Sequence, residues 1–223
     1  MLLPVVLASA SPRRSELLRQ VGIAHEVHPV DVDESSRPGE APAEYVLRLA
    51  EEKARTLWDS LPESGRLPVL AADTTVALEG EIFGKPGNRA ESVAMLARLS
   101  GRTHQVHTAV AVLHAGGSAA RVSSSSVTMR AITRAEMDWY SDTGEPADKA
   151  GGYAVQGRAA IFIRHIAGSY SGVVGLPLCE TWELLRGVPG LLAGGVAARP
   201  PRWSSTSARA KHVLHCSRTA CCR

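Results

Sequence analysis

Three groups of side chains in this sequence have the types and spacing that phosphate chemistry uses. The first is the run Ser9-Ala10-Ser11-Pro12-Arg13-Arg14, which follows a short apolar segment. Ser11 is a favourable N-cap and Pro12 a favourable first residue of a helix. Helix amides that are preceded by hydroxyls and followed by guanidinium groups suit a phosphate group. A capped helix with two solvated arginines is the alternative interpretation of this run.

Acidic residues form the second group. Asp73 follows the apolar run 69–72, so we expect its carboxylate at the end of a strand, facing a cleft. There it can hold a divalent cation, or orient and deprotonate a water. Glu34, with Asp31 and Asp33 beside it, adds oxygen ligands on a loop. Taken alone, these residues are equally compatible with a turn aspartate and a solvated acidic loop.

Lysines supply the third group. Lys53, Lys85 and Lys149 can neutralise a polyphosphate, and each is also compatible with an ordinary surface position. The run Gly84-Lys85-Pro86 lacks the spacing of a P-loop. The run Ser169-Tyr170-Ser171-Gly172 lacks the G-x-S-x-G spacing of a hydrolase, so no serine nucleophile is indicated.

Hydrophobic periodicity predicts the elements that must position these groups. Apolar runs predict strands at 4–8, 24–30, 68–78, 103–113, 121–130 and 159–166, with a hairpin return at 82–83. Helical spacing predicts helices at 12–21, 42–61, 89–99, 134–142 and 177–185. From this length and mixture we expect one α/β unit that is split into two lobes around a cleft.

The composition is typical of a globular protein. Of the 223 residues, 44% are hydrophobic and 21% are charged. Seven of the 25 basic residues follow Glu183 and no acidic residue does, so 1–183 carries 18 bases against 22 acids. That balance does not indicate a nucleic-acid-binding face. No apolar run reaches the roughly 18 residues of a membrane span and the start lacks the order of a signal peptide, so we expect a cytoplasmic protein.

The C-terminal segment differs from the rest of the chain. Three of the four cysteines lie in the last eight residues, and no C-x-x-C pair occurs that would favour a zinc or redox site. From about Gly190 the sequence is rich in Ala, Gly, Pro, Ser and Arg with weak periodicity. We expect a domain at 1–189 followed by a flexible basic tail at 190–223, to which we assign no function.

Eight short motifs, taken in order, resemble the Maf family of nucleotide pyrophosphatases over residues 3–188. They are Leu7-Ala8-Ser9-Ala10-Ser11-Pro12-Arg13-Arg14, Val32-Asp33-Glu34, Glu52-Lys53-Ala54, Ala72-Asp73-Thr74, Gly84-Lys85-Pro86, Ser100-Gly101-Arg102-Thr103-His104, Asp148-Lys149-Ala150-Gly151-Gly152-Tyr153 with Gln156-Gly157, and Val174-Gly175-Leu176-Pro177-Leu178. Their common order makes the resemblance far more specific than any one motif.

The resemblance implies both a fold and a reaction. The fold is the two-lobed Maf and inosine-triphosphatase-like α/β structure, with a long twisted mixed sheet and the active site between the lobes. The reaction is hydrolysis of a nucleoside triphosphate between its α and β phosphates, with Mg²⁺ or Mn²⁺ as cofactor. Such enzymes remove unwanted nucleotides, some are linked to arrest of cell division, and the family is commonly homodimeric.

The resemblance also implies roles for individual residues. Asp73 matches the proton acceptor, which orients a water for in-line attack without a covalent intermediate. For the mechanism we expect Glu34 and Asp73 to hold the metal or its water shell. We also expect the triphosphate to be bound by Ser9, Arg13, Arg14, Lys53 and Lys85.

Three runs resemble the branch of the family that acts on dTTP, UTP and modified pyrimidine nucleotides. They are Ala72-Asp73-Thr74, Thr103-His104 and Tyr153-Ala154-Val155-Gln156-Gly157. The branch that acts on 7-methyl-GTP typically has a Ser-Asp-Gln run in the first of these places.

Arg13, Thr74 and Gln156 match the positions that the family uses to discriminate between bases. The amide of Gln156 offers a donor and an acceptor, which can match the carbonyl and imide N–H of uracil or thymine. A wrong base would leave those groups unpaired. A pyrophosphatase of the same fold for 7-methyl-GTP or another non-standard purine nucleotide is the nearer alternative. A non-catalytic nucleotide-binding regulator of cell division is the more distant one.

Overall fold

The structure, a computed structural model, describes residues 3–191, and the tail expected at 190–223 lies almost wholly outside this range. Seven strands form one mixed sheet in the order β2-β1-β3-β5-β6-β7, with β4 paired beside β3. The strands are β1 Val5–Leu7, β2 His25–Val27, β3 Val69–Leu78, β4 Glu81–Phe83, β5 Thr103–His114, β6 Gly117–Met129 and β7 Ile163–Ala167. This mixed α/β sheet confirms the predicted fold class.

Six α-helices cover the sheet within the described range. They are α1 Pro12–Gln20, α2 Pro42–Ser60, α3 Arg89–Leu99, α4 Arg134–Ser141, α5 Tyr170–Val174 and α6 Leu178–Leu185. Within residues 3–191 no helix combines the length and apolarity that crossing a bilayer requires.

The two edges of strand β3 are paired differently. Along one edge, β5 pairs with it antiparallel from Val69 to Ala77. Along the other edge, β1 pairs in parallel at 69–70 and β4 pairs antiparallel at 76–78. Among residues 3–191 no strand pairs with that edge between residues 71 and 75. The sheet therefore opens into a cleft at the middle of β3.

The position of Asp73 differs from the sequence expectation. Asp73 lies in the middle of β3 rather than at the end of a strand. The polar residues at 73–75 do not end the strand, because the long partner β5 continues the hydrogen-bonded ladder past them. Asp73 reaches the cleft through the open edge of β3, and not from a terminus.

Three apolar clusters fix the two lobes on either side of this opening. One packs α2 against the face of the sheet that carries Val69 and Ala71. A second packs α1 and α6 against the other face, at Leu70 and Ala72. The third forms the second lobe from α3, α4 and the far ends of the long strands. Successive residues of β3 therefore point to opposite sides of the sheet.

Most of the predicted helices and strands are confirmed, with three differences near the C-terminal end of the domain. The first half of the strand predicted at 159–166 is a 3-10 helix, Arg158–Phe162, in which buried Ala159 and Phe162 lie one turn apart. The loop at 143–152 contains two short 3-10 helices, Glu145–Asp148 and Ala150–Gly152. Helix α5 was not predicted, because five residues are too few to show a helical period.

A buried histidine on β5 contacts the segment between α4 and β7. His104 on β5 is only 1% exposed, and its Nε2 lies 2.7 Å from the hydroxyl of Tyr153. The two rings meet edge to face. Burial lowers the pKa of His104 from 6.5 to about 4. His104 is therefore neutral in the folded protein near neutral pH.

This burial predicts a pH-dependent stability. Between pH 6.5 and about 4 the unfolded chain binds a proton at His104 that the folded protein excludes, so stability falls as the pH falls through this window. Across this pH window the free energy of unfolding should decrease by roughly 3 kcal/mol. Urea unfolding of a His104→Gln variant should show a free energy of unfolding without this pH dependence. A His28→Gln variant, changed at an exposed histidine, should keep the pH dependence of the wild type. The same pH dependence in wild type and both variants would contradict the role of His104.

Candidate active site

The cleft at the open edge of β3 has a volume of about 770 Å³, within the range of small-molecule sites. It lies between the start of α1, the inner face of α2, strand β3 and the turns that precede β7. Every residue predicted to act on the substrate lines it: Ser9, Arg13, Arg14, Glu34, Lys53, Asp73, Thr74, Lys85 and Gln156. Lys149 lines it as well. Asp31 and Asp33 do not, and Asp33 instead accepts a hydrogen bond from the amide of Ser35.

Lys53 lies at the centre of the charged groups. It is carried by α2, and its side chain is 10% exposed. Its Nζ donates to Asp73 Oδ1 at 2.7 Å and to Glu34 Oε1 at 2.7 Å. Lys85 reaches the other oxygen of Glu34 at 3.4 Å and is more than half exposed. One buried ammonium thus holds the two predicted metal-binding carboxylates together.

The two carboxylates have opposite pKa shifts. Burial raises the pKa of Asp73, and the nearby charges of Lys53 and Arg14 offset only part of that effect. Burial also acts to raise the pKa of Glu34, but Lys53 and Lys85 outweigh it and lower the pKa. A raised pKa makes Asp73 the better proton acceptor, and a lowered pKa keeps Glu34 ionised.

Arg14 connects three parts of the chain beneath the cleft. Its Nε donates to the carbonyl of Gly175 at 2.8 Å, its Nη1 to Ser9 Oγ at 2.9 Å and its Nη2 to Thr74 Oγ1 at 3.3 Å. Burial lowers the pKa of Arg14, yet a guanidinium stays charged in proteins. Arg14 therefore fixes the loop after β1, strand β3 and the end of α5 around a permanent positive charge.

The hydroxyl of Thr74 is engaged by protein groups. Thr108 donates its single proton to the carbonyl of Gly172 at 2.8 Å. The 3.0 Å contact between the hydroxyls of Thr108 and Thr74 is then donated by Thr74, because a hydroxyl has one proton. Thr74 also accepts from Arg14. Its predicted part in base discrimination stays a prediction, and its contacts in this structure position Arg14.

Arg13 lies nearer the mouth of the cleft. Its Nη1 contacts Asp148 Oδ2 at 3.0 Å, and Asp148 also pairs with Lys149. Asp148 belongs to one of the eight motifs but is not among the site residues that the sequence predicts. No pattern in the sequence shows that it meets α1, because 135 positions separate it from Arg13.

The start of α1 differs from the expectation in one detail. Ser11 is the N-cap residue, but its side chain makes no capping hydrogen bond. Its amide instead donates to Ser9 Oγ at 3.2 Å. The first amides of α1 therefore have no side-chain cap, and they adjoin a cleft that also contains two guanidinium groups. This combination suits a phosphate group.

The donor set fits a hard divalent cation. Glu34 and Asp73 each place an oxygen 2.7 Å from the same Nζ, so the two oxygens lie within about twice that distance of each other. Mg²⁺ is commonly held by one or two carboxylates together with substrate phosphates and waters. Within residues 3–191 no group of three or more His, Cys, Asp or Glu side chains converges on a point. A cation held by Glu34 and Asp73 would take its remaining ligands from water or substrate phosphates.

Comparisons with known proteins agree with this geometry. A family model described as "Maf-like protein" matches residues 4–188. A protein of Bordetella avium named "dTTP/UTP pyrophosphatase" is 55% identical over 186 residues, which is 81% of this chain and 92% of the relative. A protein of Methylobacillus flagellatus with the same name is 51% identical over 182 residues, which is 82% of this chain and 91% of that relative.

Among solved structures, the chain is similar to the Ham1 protein of Staphylococcus aureus. The TM-score is 0.40 and the sequence identity 17%, over 57% of this chain and 72% of that chain. The likeness is too slight to assign a function.

The shared ammonium leads to a prediction about stability. Lys53→Met leaves the buried Asp73 carboxylate and Glu34 without their common partner, which should lower the free energy of unfolding by roughly 3–5 kcal/mol. The loss should become smaller as the pH falls, because protonation of Asp73, whose pKa burial raises, relieves the unpaired charge. Urea unfolding over a series of pH values measures it. Lys85→Met, which removes an exposed partner of Glu34, should cost under about 1 kcal/mol, and equal losses in the two variants would refute the central role of Lys53.

Proposed function

The chain belongs to the Maf family, and from this membership and the geometry of the cleft we propose that it is a nucleoside triphosphate pyrophosphatase that hydrolyses dTTP and UTP. The products are the nucleoside monophosphate and pyrophosphate. The observation that carries the proposal is the cluster in which buried Lys53 holds buried Asp73 and exposed Glu34, beside two arginines and an uncapped helix start. Modified pyrimidine nucleotides of the same shape are included in the proposed substrate class.

The cleft carries positively charged side chains that can bind the negatively charged triphosphate. Lys53 is a buried cation and Arg14 a partly buried one at its base, while Arg13 and Lys85 are closer to its mouth. Ser9 adds a hydroxyl next to the amides of α1. Fixed charges in a partly desolvated cleft stabilise the polyphosphate more strongly than solvated ones do.

Asp73 performs the proton transfer in the proposed reaction. Its carboxylate orients a water and accepts one proton as the water oxygen attacks the α phosphorus in line with the bond to the leaving group. The bond between the α phosphorus and its bridging oxygen breaks, and the electron pair leaves with pyrophosphate. Lys53, 2.7 Å from Asp73, keeps the carboxylate oriented and restricts where its other oxygen points.

Glu34 and Asp73 are the residues that would hold Mg²⁺ or Mn²⁺. When bound, the cation would neutralise charge that develops on the phosphate oxygens. Lys53 already brings the two carboxylates together in the free protein, so cation binding requires a local exchange of ligands and no refolding of the site.

Base selection is the proposed task of Arg13, Thr74 and Gln156. Gln156 is exposed on a turn at the cleft and makes no side-chain hydrogen bond to any residue in 3–191. Both its donor and its acceptor thus remain for the edge of a pyrimidine. We further expect a homodimer in the cytoplasm, with no nucleic acid or membrane partner.

A panel of nucleotides tests the reaction and its base preference together. We expect pyrophosphate release from dTTP and UTP with Mg²⁺ or Mn²⁺, well above that from CTP, GTP, inosine triphosphate and 7-methyl-GTP. Asp73→Asn should keep the fold and lower kcat by about 10²-fold or more, the usual scale for a lost general base.

The matched control is Asp59→Asn, the same change on the exposed face of α2. It should leave kcat unchanged. Activity confined to a purine nucleotide would keep the chemistry and overturn the base preference. No pyrophosphate from any nucleotide, in a protein that is folded by circular dichroism, would overturn the enzymatic proposal.

The raised pKa of Asp73 predicts the acidic limb of the pH profile. The base must be ionised, so activity falls as the pH falls through its pKa, and that pKa lies above the ordinary 3.8. The acidic limb of kcat/KM for UTP should therefore have its midpoint above pH 3.8. A limb at or below that value, measured in a pH range where circular dichroism shows the fold intact, would exclude Asp73 as the base.

A further inference from the structure

A second buried polar network lies behind the cleft, in the other lobe. Tyr140 of α4 is fully buried. Its hydroxyl donates to Glu145 Oε1 at 2.9 Å and accepts from the amide of Ala154 at 3.2 Å. The second oxygen of Glu145 accepts from the amide of Arg158 at 3.0 Å. One phenol and one carboxylate thus hold both ends of the turn 154–158.

The turn also closes tightly on the carboxylate. A Cβ built at Gly157 would lie 2.3 Å from Glu145 Oε1, a distance that no side chain can occupy. The amide of Gly157 donates to the carbonyl of Ala154 at 3.1 Å, which completes the turn. The close approach of Glu145 therefore explains the glycine at position 157. Its backbone φ of −107° does not, because other residues adopt that value.

Glu145 is itself firmly placed. Its amide donates to Thr143 Oγ1 at 3.2 Å, and its carbonyl accepts from Lys149 Nζ at 2.7 Å. The 3-10 helix that begins at Glu145 ends at Asp148, which contacts Arg13. One short segment thus touches the turn that carries Gln156 and also the guanidinium of Arg13.

Gln156 depends on this network for its position. Its side chain has no hydrogen-bond partner in the described part of the chain, so the backbone of the turn fixes only the position from which this side chain reaches the cleft. That backbone is tied to Tyr140 through Ala154 and to Glu145 through Arg158. Neither Tyr140 nor Glu145 lines the cleft.

We propose that Tyr140 and Glu145 are positioning residues that set base selectivity by fixing the turn of Gln156. The proposal rests on the proposed function, because it takes Gln156 as the group that recognises the pyrimidine. A turn that is free to shift would still admit the triphosphate, since the phosphate-binding groups lie on α1 and the loop before it, on α2 and on the loop after β4. It would lose the aligned amide that distinguishes one base from another.

Tyr140→Phe is the sharpest test, because it removes one oxygen and keeps the buried ring. We expect KM for UTP to rise about tenfold, kcat to change less than threefold, and the preference for UTP over CTP in kcat/KM to fall about tenfold. Tyr170→Phe makes the same change at an exposed tyrosine and should leave all three unchanged. A uniform loss of kcat with selectivity intact, or no change at all, would refute the positioning role.

Two further variants keep the test decisive. Glu145→Gln can preserve one of the two carboxylate contacts, so its preference for UTP over CTP should lie between those of wild type and Tyr140→Phe. If Tyr140→Phe does not fold, this variant takes its place in the test. Gln156→Ala should lower selectivity as well, and adding Tyr140→Phe to it should lower selectivity no further, because both changes act through one amide. Additive losses in the double variant would overturn the proposal.

Hydrogen exchange separates the inference from the proposed function. The amides of Ala154 and Arg158 should exchange faster in Tyr140→Phe than in wild type, without nucleotide present. Wild-type protein that releases no pyrophosphate from dTTP or UTP would overturn the proposed function, and the selectivity proposal would fall with it. Wild-type activity with an unchanged UTP preference in Tyr140→Phe would overturn the inference alone.

Discussion

The ammonium of Lys53 between the carboxylates of Asp73 and Glu34 is the interaction on which the site depends. A buried ion pair contributes little net stability compared with apolar side chains of the same volume, so stability alone does not account for it. What it provides is a fixed arrangement: helix α2 must pack where Lys53 can reach β3, and the loop of Glu34 must return to the same point. The raised pKa of Asp73 follows from the same burial.

The open edge of β3 makes that arrangement accessible. Because β1 and β4 share one edge and leave a gap between them, side chains from both faces of the strand reach one cleft. Asp73 turns toward α2 and Thr74 toward α1, where it meets Arg14. Strand β5 holds β3 extended across the gap, so the cleft has a rigid base although one edge is unpaired. Asp73 with Lys53 thus approaches the substrate from one face of β3, and Thr74 with Arg14 from the other.

The mouth of the cleft is organised by a different set of contacts. The segment that begins at Glu145 connects the second lobe to Arg13 through Asp148 and to the turn of Gln156 through its carboxylate. Arg14 and Lys53, at the base of the cleft, are therefore supported separately from the turn of Gln156, whereas Arg13 shares its supporting segment with that turn. Such a division allows base preference to change in this architecture while the chemistry of the triphosphate stays the same.

Most of the secondary structure can be predicted from the sequence, because helices such as α2 and strands such as β5 follow from local periodicity and long apolar runs. The ordered motifs also identify the family and the residues of the cleft. Tertiary packing, in contrast, places Asp73 in the middle of a strand, joins it through Lys53 to Glu34, and brings Arg13 to Asp148. No pattern in the sequence indicates that Tyr140 and Glu145 support the turn of Gln156. Periodicity reports only the environment of a residue along its own element, whereas these contacts join residues that are distant in the chain and are brought together by the packing of the two lobes around β3.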